Sequence, residues 1–147
     1  MKIIIGDLTQ ISADTIINPA NTKLDHAGGV ACALVRKGGN SIQAESDKIG
    51  YCAIGEAVYT SAANLKAKYL IHVPTINYEK NIKANFNDIR KGFTNALKLA
   101  QKLKLKSVAT PLLGTGVVGL GKKEVEKILS EVSLQFPGLE VILVKRS

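Results

Sequence analysis

The chain has no tryptophan, two cysteines and two histidines, and aromatic residues supply only 5% of its length. Each scarcity closes off a class of function. Cys32 and Cys52 stand far apart, so they form neither a disulfide framework nor a CxxC motif. With only His26 and His72 to join them, no His/Cys group has zinc spacing, and neither a metal nor a cofactor is expected. Cys32 falls in a helix-like apolar stripe and reads as a buried free thiol. No apolar run approaches the roughly 18 residues a membrane span requires. The opening Met1-Lys2-Ile3-Ile4-Ile5 runs straight into Gly6-Asp7, too short for the apolar core of a secretory leader. A cytoplasmic protein with no membrane partner is expected.

Acidic residues are also few: 12, against 20 lysines and arginines, for a net charge of +8. Such a balance can favour nucleic acid or other polyanions. Yet lysines such as Lys98, Lys102, Lys104 and Lys106 are spread along polar helix faces, and no basic run is interleaved with aromatics. A solvated lysine-rich surface with a mild preference for anionic ligands is the better reading, and nucleic acid is the less favoured partner. Nothing in the chain selects an oligomeric state.

What is present is an alternation of strands and helices. Lys2–Ile5 reads as a short buried strand, and Thr15-Ile16-Ile17 as a second that enters the polar loop Asn18-Pro19-Ala20-Asn21-Thr22. Val30, Ala33 and Leu34 recur at helical spacing from Gly29 to about Lys37, and Asn40-Ser41 can cap a short helix carrying Ile42 and Ala44. Ala57–Thr60 and Tyr69–Val73 read as strands, the latter stopping at Pro74. Ile89, Phe93, Ala96, Leu97, Ala100 and Leu103 stripe a long helix over Asn87–Leu105. Ser107–Leu113 is a strand interrupted at Pro111. Glu124–Phe136 is a helix with Val125, Ile128, Leu129 and Val132 inward, and Leu139–Val144 is a last strand buried on both faces. One domain over residues 1–147 is expected, an α/β fold with three α/β/α layers and a mostly parallel mixed central sheet.

Two glycine-rich loops leave strand ends in this scheme. Gly114-Thr115-Gly116-Val117-Val118-Gly119 is formally a GxGxxG, and Ala27-Gly28-Gly29-Val30 is the other. Glycines let a backbone turn sharply and approach a ligand, and the helix N-terminus that follows favours an anion. In open α/β sheets ligands sit at the carboxyl ends of the strands, where Asp7, Asn18 and Asn21 also fall. A dinucleotide-oxidoreductase site needs its glycine loop after the first strand and an acidic residue at the end of the next. Here the GxGxxG lies near the chain end and the following strand ends Val144-Lys145-Arg146, so that reading fails.

The assembled motifs resemble the macro domain family of ADP-ribose-binding α/β/α modules. They are Gly6-Asp7-Leu8-Thr9, Asp14 to Asn21, Leu24 to Ala31, Gly55 to Thr60, Tyr69 to Val73 and Ala109 to Gly119, six in order over nearly the whole chain. The resemblance implies that ADP-ribose or ADP-ribosylated protein is the partner. It implies that Asp7 accepts from the adenine amino group, with the Leu8 amide nearby. Gly28, Gly29 and Val30 would present backbone to the diphosphate and distal ribose, and Gly114, Thr115, Gly116, Val117, Val118 and Gly119 would wrap it from the other side. Asn21 would hold the distal ribose, Asn18 would order the loop and Asp14 would be structural.

Departures accompany the likeness. Ala27 stands where many members have a further glycine, Val118 where Phe or Tyr is common, and Val144 where an aromatic often stacks on adenine. Members that remove mono-ADP-ribose from protein often carry an Asp after Gly-Gly-Val, but here that residue is Ala31. A second subset has an Asn and a His in the preceding loop, matched by Asn21 and His26, which are therefore the catalytic candidates. His26 either orders the loop or faces solvent. The chain is thus expected to bind ADP-ribose, with weak hydrolysis of ADP-ribose esters (mono-ADP-ribosyl-protein, O-acetyl-ADP-ribose or a phosphate ester). The alternatives are a non-catalytic reader and, more remotely, an RNA or polyanion binder.

Overall fold

Runs that bury side chains on both faces form the centre of the structure. The computed structural model describes residues 1–146. Strands β1 (Lys2–Ile5), β2 (Thr15–Asn21), β3 (Val58–Ser61), β4 (Tyr69–Asn77), β5 (Ile82–Lys83), β6 (Ser107–Thr110) and β7 (Glu140–Lys145) make one sheet. Its order is β1-β7-β6-β2-β4-β3, with β5 on the far end of β4. The first five strands of that order run parallel, while β3 and β5 run antiparallel to β4. Helices α1 (Gly29–Gly38) and α2 (Ser41–Ile49) cover one face, and α3 (Phe86–Lys102) and α4 (Lys122–Ser133) the other.

Neighbouring residues on each strand serve opposite cores. Ile16, Leu70, Ala109 and Ile142 pack with Leu34 and Ile42, whereas Ile17, Ile71, Val108 and Leu143 pack with Phe93, Leu97, Ile128 and Leu129. This period-two division accounts for the absence of polar alternation in the central strands. It is the three-layer, mostly parallel α/β domain expected from the sequence.

The chain steps from β2 to β4 on one side and from β6 to β7 on the other, so the winding reverses between β2 and β6. That is where an α/β sheet opens a crevice. Their ladder joins only Thr15 to Val108 and Ile16 to Ala109. At the closed end Asp14 staples the two strands: its Oδ2 accepts from the Lys106 amide at 2.7 Å and the Ser107 amide at 3.3 Å, and its own amide donates to Ser107 Oγ at 2.8 Å. Beyond Ile16, β2 runs on to Asn21 with no partner on that edge.

Several elements differ from expectation. β1 is a mostly exposed edge strand, with Ile3 and Ile5 open to solvent, because only β7 flanks it. β4 continues through Pro74 to Asn77. The proline lies between the last β3 rung at His72 and the first β5 rung at Ile76, and on the β2 side it pairs with Ala20 where the register shifts at a bulge. β6 stops at Thr110, before Pro111. α3 starts earlier, at a reciprocal capping box between Asn85 and Asp88, and α4 ends at Ser133. Asn40 makes no side-chain cap at α2, and Ala44 faces solvent there.

Phe93 is fully buried on α3 while Leu134, just past α4, is 77% exposed. Urea unfolding should show Phe93→Ala costing about 3–5 kcal/mol and Leu134→Ala changing stability by no more than about 0.5 kcal/mol. Equal effects would contradict this placement of the core.

Candidate functional site

The crevice between β2 and β6 is rimmed by backbone more than by side chains. On one rim, the loop after β2 enters α1 through Gly28 and Gly29, with no side-chain cap on the helix. Gly29 has φ +60°, a conformation that favours glycine, and a Cβ at either residue would meet nothing within 4 Å. The first amides of α1 are therefore left free at the positive end of a helix. On the other rim, residues 111–121 link β6 to α4, closed by the Leu120 amide on the Gly114 carbonyl at 2.9 Å and by Thr115 Oγ1 on the Leu112 carbonyl at 2.9 Å. Gly114 (φ +74°) packs against Ile89 and Leu120, so a side chain there would crowd the core. Gly116 faces open space without a left-handed φ, so a side chain there fits the backbone and would project from the loop.

Asp7 stands at the end of β1 and caps a single 3₁₀ turn, Leu8–Gln10. Its Oδ1 accepts from the Thr9 amide at 2.9 Å and the Thr9 hydroxyl at 2.8 Å. These bonds, side-chain first, hold its carboxyl below the usual range. Both land on Oδ1, which leaves Oδ2 to accept from another donor. Leu8 and Val30 both pack against the core on the α1 side of the sheet.

Behind the β2–α1 loop lies a buried polar cluster. Asn18, fully buried on β2, points its Nδ2 at His72 Nδ1 (2.9 Å) and His26 Nδ1 (3.5 Å). The two imidazoles stack, with centroids 4.9 Å apart and planes 18° from parallel. His26 Nε2 meets Ser46 Oγ at 2.9 Å, and His72 Nε2 meets Thr60 Oγ1 at 2.9 Å. Ser46 uses its own hydrogen on the Ile42 carbonyl, and Thr60 on that of Ser61. Both hydroxyls can then only accept from the rings, so each histidine is neutral with its proton on Nε2. Burial, aided by His26, pushes His72 down to about 3, and burial also lowers His26 against the pull of Asp25 and Asp47. Asn18 Oδ1 has no partner among the described residues, a cost of about 1–3 kcal/mol.

The macro domain family model matches residues 17–129. The chain belongs to that family. A Sulfurisphaera tokodaii protein is 40% identical over 154 residues, spanning 98% of this chain and 82% of its own length. A Thermotoga maritima protein is 42% identical over 140 residues, and this chain spans only 23% of it. Both are described as uncharacterized. The Trypanosoma brucei macrodomain in complex with ADP-ribose superposes with a TM-score of 0.85 at 26% identity, over 98% of this chain and 63% of its own.

Within this macro domain, Asp7 and Leu8 follow β1, Gly28, Gly29 and Val30 follow β2, and the Gly114–Gly119 loop follows β6, all beyond the carboxyl ends of mutually parallel strands. Asn21 lies at the end of β2, but its side chain is engaged in the loop: Nδ2 donates to the Asp25 carbonyl at 2.6 Å and Oδ1 accepts from the Asp25 amide at 3.1 Å. One N–H and one lone pair remain. His26 does not face solvent; it is 5% exposed and both ring nitrogens are engaged. Val144 sits inside β7, paired with Ile4 and buried, so it forms no wall for a base. Cys32 is half-buried beside Arg36, and Cys52 is the buried thiol, its pKa pushed up to about 12 by burial and then by Glu56. The roles of His72, Ser46, Thr60 and Gln43, the last of which clasps the loop at His26 N and Leu24 O, were not read from the sequence. Two histidines in so long a chain were the available signal.

Both histidines have lowered folded-state pKa values, so the unfolded chain binds more protons below about pH 6.5. Their contribution is complete above that pH and is lost as pH falls toward the folded values. Stability should drop between about pH 6.5 and 5 by up to about 1.4 kcal/mol per pH unit for each histidine. Chemical denaturation across that window is the check, and a flat profile would mean that the pair is not held neutral.

Proposed function

We propose that this macro domain binds ADP-ribose, free or attached to protein, along the crevice between β2 and β6. The observation that carries the reading is the pair of glycine-lined rims with unobstructed backbone, one leading into α1 and the other into α4. The diphosphate lies between Gly28-Gly29-Val30 and the Gly114–Gly119 loop, where amides and helix dipoles favour an anion. Asp7 Oδ2 accepts from the adenine amino group. Asn21 offers its remaining N–H to the distal ribose, and His26 orders the loop.

Catalysis is the finer part of the proposal. Ala31 supplies no carboxylate, so hydrolysis of ADP-ribose esters rests on positioning a water and is slow. A cytoplasmic setting is part of the proposal; among the described residues no helix is long and apolar enough to cross a membrane.

Calorimetric titration with ADP-ribose tests the binding. Asp7→Ala should weaken it about tenfold, as expected on losing a charged hydrogen bond. Gly116→Glu should abolish it while circular dichroism stays native, because a side chain fits the backbone there but brings a carboxylate to the diphosphate. Unchanged dissociation constants for both variants would refute the placement. A steep loss of RNA binding with salt, together with no ADP-ribose binding, would favour polyanion binding instead.

For hydrolysis, release of ADP-ribose from a glutamate-linked protein should be slow, and Asn21→Ala should lower the rate more than the affinity. Native protein that binds ADP-ribose yet releases none above background would be a reader.

A further inference from the structure

We propose that Asn18, His26 and His72 are positioning residues for the crevice, and that through them ligand binding is coupled to the protonation of His26. The inference rests on the ADP-ribose reading. The cluster has a place for two ring protons and no third. Both Nε2–H groups point at hydroxyls whose own hydrogens are committed elsewhere. Both Nδ1 lone pairs face the Asn18 NH₂ group. A proton added to either Nδ1 would therefore confront a donor. Rotating the amide would relieve that clash only by moving two N–H donors to where Oδ1 now finds no partner.

The two rings differ in how they can escape. His72 is fully buried on the central strand β4, while His26 is carried by the loop between β2 and α1. Protonation thus expels His26. With it goes the backbone of Asp25, to which Asn21 is bonded twice, and the Ala27-Gly28-Gly29 entry to α1. The groups facing His26 are Asp25 on its own loop, Gln43, Ser46 and Asp47 on α2, Asn18 on β2 and His72 on β4, with Thr60 of β3 beyond His72. Cys52, packed near Leu24, stays a neutral thiol. The two aspartates favour the proton, but burial outweighs them. The closed loop requires neutral His26. Affinity is therefore full where His26 is neutral in the free protein, and falls only as pH drops to the lowered range that burial gives His26 in the closed, ligand-free chain.

The test is calorimetric titration of the full chain with ADP-ribose from about pH 8 to 5.5, with circular dichroism at each pH to confirm folding. The ligand's own groups titrate below this window. The dissociation constant should be level through the ordinary histidine range and rise toward pH 5.5, by up to about tenfold per pH unit, with proton release on binding over that rise, as single-site linkage requires. Nitrogen-detected NMR at neutral pH should report both histidines as Nε2–H tautomers.

His26→Gln should remove the pH slope whatever its absolute affinity. Asn18→Asp, which provides an acceptor for Nδ1–H, should flatten the slope too. A level native profile, an unchanged slope in His26→Gln, or Nδ1–H tautomers in the native protein would each overturn the proposal. Absence of ADP-ribose binding at every pH would overturn it together with the ligand assignment, whereas binding with a level profile would overturn the proton coupling alone.

Discussion

Strands β2 and β6 stay in register for only two residue pairs, and the functional architecture follows from that short ladder. Asp14 ties their amino ends together while nothing ties their carboxyl ends. The strands part over the second half of β2, and the segments that follow them form the two rims. Each rim is rich in glycine and leads to a helix N-terminus, where the first amides and the positive end of the dipole lie. The proposed ligand, ADP-ribose, carries its negative charge on the diphosphate that this arrangement would face. The overall basic charge is a weaker and less directed preference of the same sign.

A glycine-rich rim has few side chains with which to hold itself. Between Asn21 and Gly28 only Leu24 inserts an apolar group into a core cluster. Polar groups do the rest: Gln43 reaches from α2 to two backbone atoms of the loop, Asn21 closes a turn on Asp25, and His26 enters the buried cluster. An apolar cluster of similar volume would cost less in desolvation and leave no orphan at Asn18 Oδ1. The polar version fixes ring tautomers and orientation, because each donor has one acceptor. It does so by excluding charge from the cluster, which makes the loop's order a function of pH.

Scarcity of aromatics shapes the other end of the crevice. Val118 is half-buried in its loop and Val144 is buried in β7, so neither offers a ring to a base. In the proposed reading the base is met instead by Asp7, whose geometry is set by its hydrogen bonds from Thr9. Such a site selects by hydrogen bonding more than by buried area.

The layered α/β class, the apolar stripes of α3 and α4 and the two glycine loops were legible in the chain, because each is a local pattern repeated by periodicity or glycine spacing. Asp7, Asn21 and the glycines could be singled out for the same reason: they follow strand-like runs. Pro74 was misread as a stop because the tolerance of a proline depends on whether a neighbouring strand needs its N–H. β1 was misread as buried because its composition matches a central strand and only sheet order makes it an edge. The partnership of Asn18 with His26 and His72 was out of reach, since residues 8 and 54 positions apart meet only when β2, β4 and the loop pack together. The sequence by itself determined which segments become strands and helices and where backbone could approach a ligand. Tertiary structure alone decided which polar side chains are buried, in what protonation state and against what partner, because desolvation and hydrogen bonding depend on neighbours that are distant along the chain.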